Sequence, residues 1–275
     1  AARFRFYEES MNSTALDRLS LEADLRRALE NDEFILFYQP QVDGNNGRIL
    51  GVEGLIRWQH PQRGLVPPFH FIPLLEETGQ IVDVGDWVLR TACIQQQRWI
   101  NAGFVPITLS VNLSVRQFMQ PGFIDRVRVI IDETGANPEF ISLEITESLL
   151  LDNAEYMIKI LKSFRDMGFG ISIDDFGTGY SSLSYLRKLP INELKIDRSF
   201  VKDIATEMDD GTIAKAIISL ARNLHLEVVA EGVEEQAQLE FLLQEGCYNI
   251  QGFYFGKPVP PEEIILPGGK RAGGK

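Results

Sequence analysis

The chain has 275 residues, 44% of them hydrophobic, with 27 Lys and Arg against 39 Asp and Glu and a formal charge of −12 at pH 7. That suits one large soluble globular domain or two small ones, with apolar residues enough for a sizeable core. The negative surface repels polyanions and excludes long nucleic acid as a partner; no apolar run approaches the ~20 residues of a bilayer span, and the N-terminus lacks a signal-peptide layout.

In chain order, residues 1–33 carry a helical pattern rich in Leu, Glu and Arg. Short β-branched runs then alternate with amphipathic stretches. Strands are expected at Phe34–Gln39 and Leu50–Trp58, then a helix at Trp87–Ala102 and a strand at Ile107–Asn112. A helix at Phe123–Thr134, a strand at Ile141–Ile145, a helix at Ala154–Met167 and a strand at Gly170–Asp174 follow. The pattern closes with a strand at Glu193–Ile196, a helix at Ile213–Leu224, a strand at Glu227–Ala230, a helix at Glu235–Gln244 and a short strand near Asn249–Gln251. Gly103, Gly135, Gly168 and Gly246 stand where helix-stop glycines belong. This alternation points to a parallel α/β barrel, with a doubly wound sheet as the alternative. The expected division is a linker or end of an upstream domain over 1–20, the barrel over 21–261 and a flexible or tag-like tail over 262–275.

Cys93 and Cys247 form no CxxC pair and are expected to be reduced core residues of a cytoplasmic protein. His60, His70 and His225 lack a zinc spacing and read as structural or surface residues. A metal site would therefore use oxygen ligands.

Alternate residues of a strand face opposite sides. In Ile171-Ser172-Ile173-Asp174 the isoleucines share one face and the polar pair the other. Glu144 lies between Leu143 and Ile145, Ser110 and Asn112 share a face, Lys195 sits between Leu194 and Ile196, and Glu53 shares a face with Arg57. In a barrel the apolar faces pack on the helices, and the polar ones converge near the C-terminal mouth, where barrel enzymes hold their active sites. Any one carboxylate could cap a helix or pair with a surface base. Glu53, Asn112, Glu144, Asp174, Asp175 and Glu231 together fit a different account, since clustered carboxylates without a cation repel. Hard oxygen donors in this number suit Mg²⁺ or Mn²⁺, and can hold two ions with one carboxylate bridging.

These residues lie in motifs that resemble EAL-domain phosphodiesterases acting on the cyclic dinucleotide c-di-GMP. Tyr38-Gln39-Pro40, Glu53-Gly54-Leu55-Ile56-Arg57 and Ser110-Val111-Asn112-Leu113-Ser114 are similar to that family's opening motifs. Leu143-Glu144-Ile145-Thr146-Glu147 and the run Asp174-Asp175-Phe176-Gly177-Thr178-Gly179-Tyr180-Ser181-Ser182-Leu183 resemble its central ones. Lys195-Ile196-Asp197, Glu231-Gly232-Val233-Glu234 and Gln251-Gly252-Phe253 complete the order, and the likeness spans Leu21 to Pro260.

The resemblance implies a TIM-like (β/α)8 barrel whose first strand is antiparallel to the rest, and hydrolysis of c-di-GMP to linear pGpG. It implies Glu53, Asn112, Glu144 and Asp174 as ligands of one metal, and Asp174 as a bridge to a second ion held with Asp175. Glu231 would act at or beside that ion, and Lys195 would orient or polarise the attacking water. Arg57 would hold a phosphate oxygen, and Gln39, Asp197 and Gln251 would contact the substrate. Glu147 would brace the segment Asp175–Ser182, through which a homodimer is expected.

Departures from the family pattern are Gly54 in place of the name-giving alanine, Tyr248 in place of a common acid, and Phe253 in place of a frequent tyrosine. The stretch from Phe6 through Leu29 resembles the junction after a GGDEF domain. It implies a longer bacterial signalling protein, membrane-anchored or not, with sensor or GGDEF domains upstream. A c-di-GMP receptor without turnover is the competing reading, although no expected ligand is missing. An unrelated metal-dependent barrel enzyme would have no use for the ordered motifs.

Overall fold

A computed structural model describes residues 9–147, 154–179, 183–202, 204 and 211–267. Its nine strands are β1 (Phe34–Asp43), β2 (Ile49–His60), β3 (Gly64–Val66), β4 (Thr108–Leu113), β5 (Ile141–Thr146), β6 (Gly170–Phe176), β7 (Glu193–Ile196), β8 (Glu227–Ala230) and β9 (Asn249–Gln251). The helices are α1 (Glu9–Ala28), α2 (Pro68–Thr78), α3 (Ile81–Asn101), α4 (Val115–Phe118), α5 (Phe123–Thr134), α6 (Ala154–Asp166), α7 (Leu183–Leu186), α8 (Arg198–Lys202), α9 (Gly211–Asn223) and α10 (Gln236–Gln244).

The sheet runs β1-β9-β8-β7-β6-β5-β4-β2, and β1 pairs with β2 to close it, so every strand but β3 belongs to a barrel. β1 is antiparallel to both neighbours, and the remaining barrel strands are mutually parallel. The expected barrel with its antiparallel first strand is therefore the observed fold, and the doubly wound sheet is not. Closure also leaves the barrel strands no free edge.

The strand faces divide as the alternation requires. Leu109, Val111, Leu143, Ile145, Ile171, Ile173, Leu194 and Ile196 are fully buried in the layer between barrel and helices. Each such side chain contributes about 1.5–3 kcal/mol through its burial. Outside β5 and β6, Phe118, Phe123, Phe164 and Phe169 stack edge to face, with centroids 5.4–6.1 Å apart.

Three local features differ from the sequence reading. β1 runs past Pro40 to Asp43, because Pro40 needs no ladder donor where it sits opposite Val52 and a register shift follows at Gln41/Val42. The β2–β3 hairpin turns at Gly64 (φ 70°), with His60 as its pin. His60 Nδ1 accepts the amides of Gln62 (3.1 Å) and Arg63 (3.3 Å), so its Nε2–H points to Asp24 Oδ2 at 3.2 Å. α2 was hidden by its prolines: Pro68 occupies its first turn, where no amide bond is lost, and Pro73 lies inside it.

α1 continues without a break through residue 20, and Leu21, Leu25 and Ala28 bury one of its faces. At the other end Leu266 is buried and the Pro267 carbonyl accepts from Val105 N at 3.0 Å, so the chain is held at these two residues, while Glu262, Glu263 and Ile265 are exposed. The remainder of the expected tail, 268–275, and residues 1–8 lie outside the described residues. Cys93 and Cys247 are buried free thiols, whose burial pushes their pKa up to about 11 and about 12. No helix among the described residues is long and apolar enough to cross a membrane.

Candidate active site

Inward positions at the C-terminal ends of the strands bring most of the expected residues together. Lys195, 0% exposed, is the centre. Its Nζ lies 2.7 Å from Glu144 Oε2, 2.5 Å from Glu231 Oε1, 3.4 Å from Asp174 Oδ1 and 3.5 Å from Glu53 Oε2. The other lobe of Glu53 accepts from Asn112 Nδ2 at 2.7 Å, and Gln251 Nε2 donates to Glu53 Oε2 at 2.5 Å. Gln251 also donates to Gln39 Oε1 (3.2 Å) and accepts from Gln41 Nε2 (3.0 Å), while Gln39 Nε2 is fixed on the Gly256 carbonyl (3.1 Å).

One ammonium faces four carboxylates, so negative charge is in excess. The titration directions register this. Burial, strengthened by Glu53, Asp174 and Glu231, holds the Glu144 carboxyl well above the usual range despite Lys195. Burial pushes Glu231 up to about 8, with Asp174 and Glu53 adding to the rise. Burial and the Asp174 charge push Asp175 up to about 6. Glu53 goes the other way: burial alone would raise it, but Lys195 and the amides of Gln251 and Asn112 outweigh that and lower it. The same four carboxylates raise Lys195 against its burial, so it stays charged.

Asp174 and Asp175 are consecutive, and in a regular strand they would face opposite sides. Asp175 has a left-handed φ of 52°, beside a register shift between β6 and β7. That conformation costs on the order of 1 kcal/mol for a residue with a Cβ. It gathers Asp174, Asp175 and Glu231, each offering an oxygen within 4.8 Å of the others'. Among the described residues this is the group of acids close enough to share an ion. Glu144 Oε1 is buried without a hydrogen-bond partner there. An all-oxygen donor set with surplus negative charge and an orphaned carboxylate lobe fits hard divalent cations.

A cleft of about 310 Å³ opens above Asp174 and Glu231, lined also by Gln39, Arg57, Gln251 and Arg198. Arg57 lies over the Phe37 ring (5.7 Å) and donates to the Ile56 carbonyl (2.8 Å), half-buried at the rim. Asp197, expected to contact the substrate, lies at the end of β7 beside Asp175. It caps the turn into α8 by accepting from Ser199 N (3.0 Å) and Ser199 Oγ, and it faces Asp175 rather than lining the cleft. Glu147 Oε2 accepts the amides of Gly177 (2.9 Å) and Gly179 (3.1 Å), and a Cβ on Gly179 would stand 3.0 Å from Glu147 Cδ. Residues 180–182 of the expected dimer segment lie outside the described residues.

Gln41 and Arg198 were not singled out in the sequence. Gln41 could have been found, since it shares an inward face of β1 with Gln39. Arg198 follows the β7 strand end, and no period or motif argument places it in the cleft.

Fold and site together define a class: an α/β barrel with a lysine-centred carboxylate site at its C-terminal mouth. The sequence profile of the EAL domain family matches residues 22–258, and the chain belongs to that family. It is 48% identical over 260 residues to MucR of Pseudomonas aeruginosa, a bifunctional diguanylate cyclase/cyclic di-GMP phosphodiesterase, covering 94% of this chain and 38% of MucR. It is 42% identical over 256 residues to the cyclic di-GMP phosphodiesterase NbdA of the same organism, covering 93% of this chain and 33% of NbdA. The chain thus spans between a third and two fifths of those curated relatives. The solved structure of the PaMucR phosphodiesterase in complex with c-di-GMP superposes with a TM-score of 0.87 at 48% identity, over 90% of this chain and 100% of that one.

Proposed function

We propose that this chain hydrolyses cyclic di-GMP to linear pGpG with divalent cations held at the barrel mouth. The observation that carries the reading is the lysine-centred carboxylate cluster, which opens onto a cleft bearing two arginines. Glu53, Asn112, Glu144 and Asp174 would hold one ion, and Asp174, Asp175 and Glu231 a second. Two ions held there would neutralise a phosphodiester and lower the pKa of a water. Arg57, whose fork suits paired bonds to phosphate oxygens, would fix the substrate from the rim. Lys195, charged at physiological pH, serves as a hydrogen-bond donor that orients Glu144, Glu231 and the attacking water, not as the base. The water adds to phosphorus as the P–O3′ bond breaks and one of its protons passes to the departing O3′, leaving a 5′-phosphate and a 3′-hydroxyl. Gln39 and Gln251 would line the substrate site.

The likeness to MucR supports a GGDEF-type domain upstream of this barrel and a cytoplasmic site of action, where such a domain would make the substrate. Homodimerisation through the 175–182 segment is expected from the family resemblance, and sedimentation of the purified chain tests it. The decisive experiment incubates the chain with c-di-GMP and Mg²⁺ or Mn²⁺ and separates the products by chromatography. Formation of pGpG that chelator abolishes supports the reading. Binding without product, across both metals and a range of protein concentrations, overturns it in favour of a receptor.

A further inference from the structure

The last turn of α2 carries two consecutive acids, Glu76 and Glu77, about 100° apart around the helix, so they address different neighbours. Glu77 accepts from Arg18 of α1, with Nη2 2.6 Å from each oxygen. Glu76 Oε1 accepts from Ser114 Oγ at 2.8 Å. Ser114 follows the last residue of β4, two residues after Asn112, and caps α4: its Oγ accepts from Arg116 N (3.3 Å), and Gln117 Oε1 accepts from Ser114 N (2.9 Å). Gln117 lies so close over Gly85 of α3 that a Cβ there would stand 2.0 Å from its Nε2. The chain just beyond Asn112 is therefore clamped between α2 and α3.

Asn112 itself is exposed in the mouth, and its side-chain amide reaches Glu53. The Asn112 backbone is held on one side by its pairing with Glu144 of β5, and Ser114 fixes the direction in which the chain leaves the strand two residues later. Beside this clamp an apolar cleft of about 510 Å³, walled by Ile72, Ile81, Val84, Val88 and Leu113, separates α2 and α3 from the strand ends. Glu76 and Ser114 both stand on the wall of this cleft. On its far side α2 meets α1, whose Leu21 and Leu25 are buried and whose Asp24 is held by His60.

We propose that α2 couples α1 to the barrel mouth, with Glu76 acting through Ser114 as the positioning residue for Asn112. The proposal rests on the reading of Asn112 as a metal ligand. Any displacement of α1 that moves α2 changes the placement of Asn112, and by reciprocity cation binding at the mouth stiffens α1.

The test measures Mn²⁺ affinity of the whole chain without nucleotide, by the electron paramagnetic resonance of free Mn²⁺, and kcat at saturating Mn²⁺. Glu76→Ala and Ser114→Ala should each weaken Mn²⁺ binding roughly 10-fold, the range for partners that orient a ligand. The double variant should be no weaker than the worse single one, because both break the same link. Glu76→Gln keeps an acceptor oxygen and should restore affinity to within about 3-fold, and kcat at saturating metal should stay within about 3-fold in all of them. In the unmutated chain Mn²⁺ should slow hydrogen exchange in α1 and α2, and in Glu76→Ala the slowing in α1 should vanish. Asn112→Ala separates the two claims. If it weakens Mn²⁺ binding while Glu76→Ala and Ser114→Ala do not, the coupling is overturned and the ligand reading stands. If Asn112→Ala leaves affinity unchanged, the ligand reading itself fails. Should Glu76→Ala not fold, Ser114→Ala and the exchange pattern of the unmutated chain decide alone.

Discussion

The floor and the mouth of this barrel are built by the same strands from residues two apart: Gly51 and Glu53, Ser110 and Asn112, Ser142 and Glu144, Ser172 and Asp174, Glu193 and Lys195. The floor cavity is the larger, about 540 Å³ against about 310 Å³ for the mouth cleft. It is lined by Thr108, Ser110, Ser142, Gln41 and Asn249, with Glu139, Glu193, Glu227 and Arg165 also on its wall. Burial pushes the Glu193 carboxyl up, yet among the described residues no set of acids at the floor converges as Asp174, Asp175 and Glu231 do at the mouth. Size and polarity therefore do not mark the site. What marks it is carboxylates crowded in excess around one buried ammonium, an arrangement with a folding cost that a bound cation would offset.

The sharpest way to break this comparison is one acid at each end. Glu53→Ala should reduce pGpG formation by at least about 10³-fold, more than the 10–100-fold typical of residues that only orient a ligand. Glu193→Gln at the floor should change it by less than about 3-fold. Comparable losses from both, in a chromatographic assay at saturating metal, would mean that the two ends are not functionally distinct.

Lys195→Met tests the charge argument through stability. It leaves four carboxylates around an apolar chain, and with chelator present it should destabilise the fold by about 3–5 kcal/mol, the range for breaking a buried pair. Urea unfolding checks this, and a variant as stable as the unmutated chain would show that the excess charge is relieved elsewhere.

A smaller effect follows from pH. Glu231 and Asp175 have folded-state pKa values raised to about 8 and about 6, so the fold retains protons that the unfolded chain has released. Their contribution is full below the ordinary carboxylate range and is lost as pH rises through those values. Lys195 is raised and Glu53 lowered, so between pH 5 and 8.5 their contributions stay constant. With chelator, Tm should fall from pH 5 to 8.5; with Mn²⁺ the fall should be smaller, because the ion competes with those protons. A Tm gain from Mn²⁺ that does not grow with pH would count against acids at the mouth as its ligands.

The smallest effect concerns Gly54. A Cβ there meets Leu109 Cδ2 and Ser110 O at 3.5 Å, ordinary contact distances. Gly54→Ala should thus be accepted and stabilise by about 0.4–1 kcal/mol through the unfolded chain, with activity changed less than about 3-fold. Differential scanning calorimetry gives the sign, and destabilisation would reveal a backbone constraint at this position.

Much of the architecture was legible because each strand is short and its faces are chemically distinct. The strand at Glu193–Ile196 and the helix at Phe123–Thr134 were placed to the residue, and Ile171, Ile173, Ser172 and Asp174 divide between faces as alternation demands. α2 was not legible, since its prolines read as punctuation while the helix is stabilised by Phe71, Leu74 and Leu75 packing on the core. The β2–β3 hairpin depends on His60 accepting two turn amides, a long-range consequence of its burial.

By itself the sequence determined the order of elements, the inward set Glu53, Asn112, Glu144, Asp174 and Lys195, and the family, because periodicity and motif order are properties of neighbours along the chain. Tertiary structure alone decided that Lys195 stands among four carboxylates, that Asp175 turns through a left-handed φ to join Asp174 and Glu231, that Asp197 faces Asp175, and that Glu76 holds Ser114. Those contacts join residues from different strands and helices, and their strength is set by burial and local dielectric, which exist only once the barrel has closed.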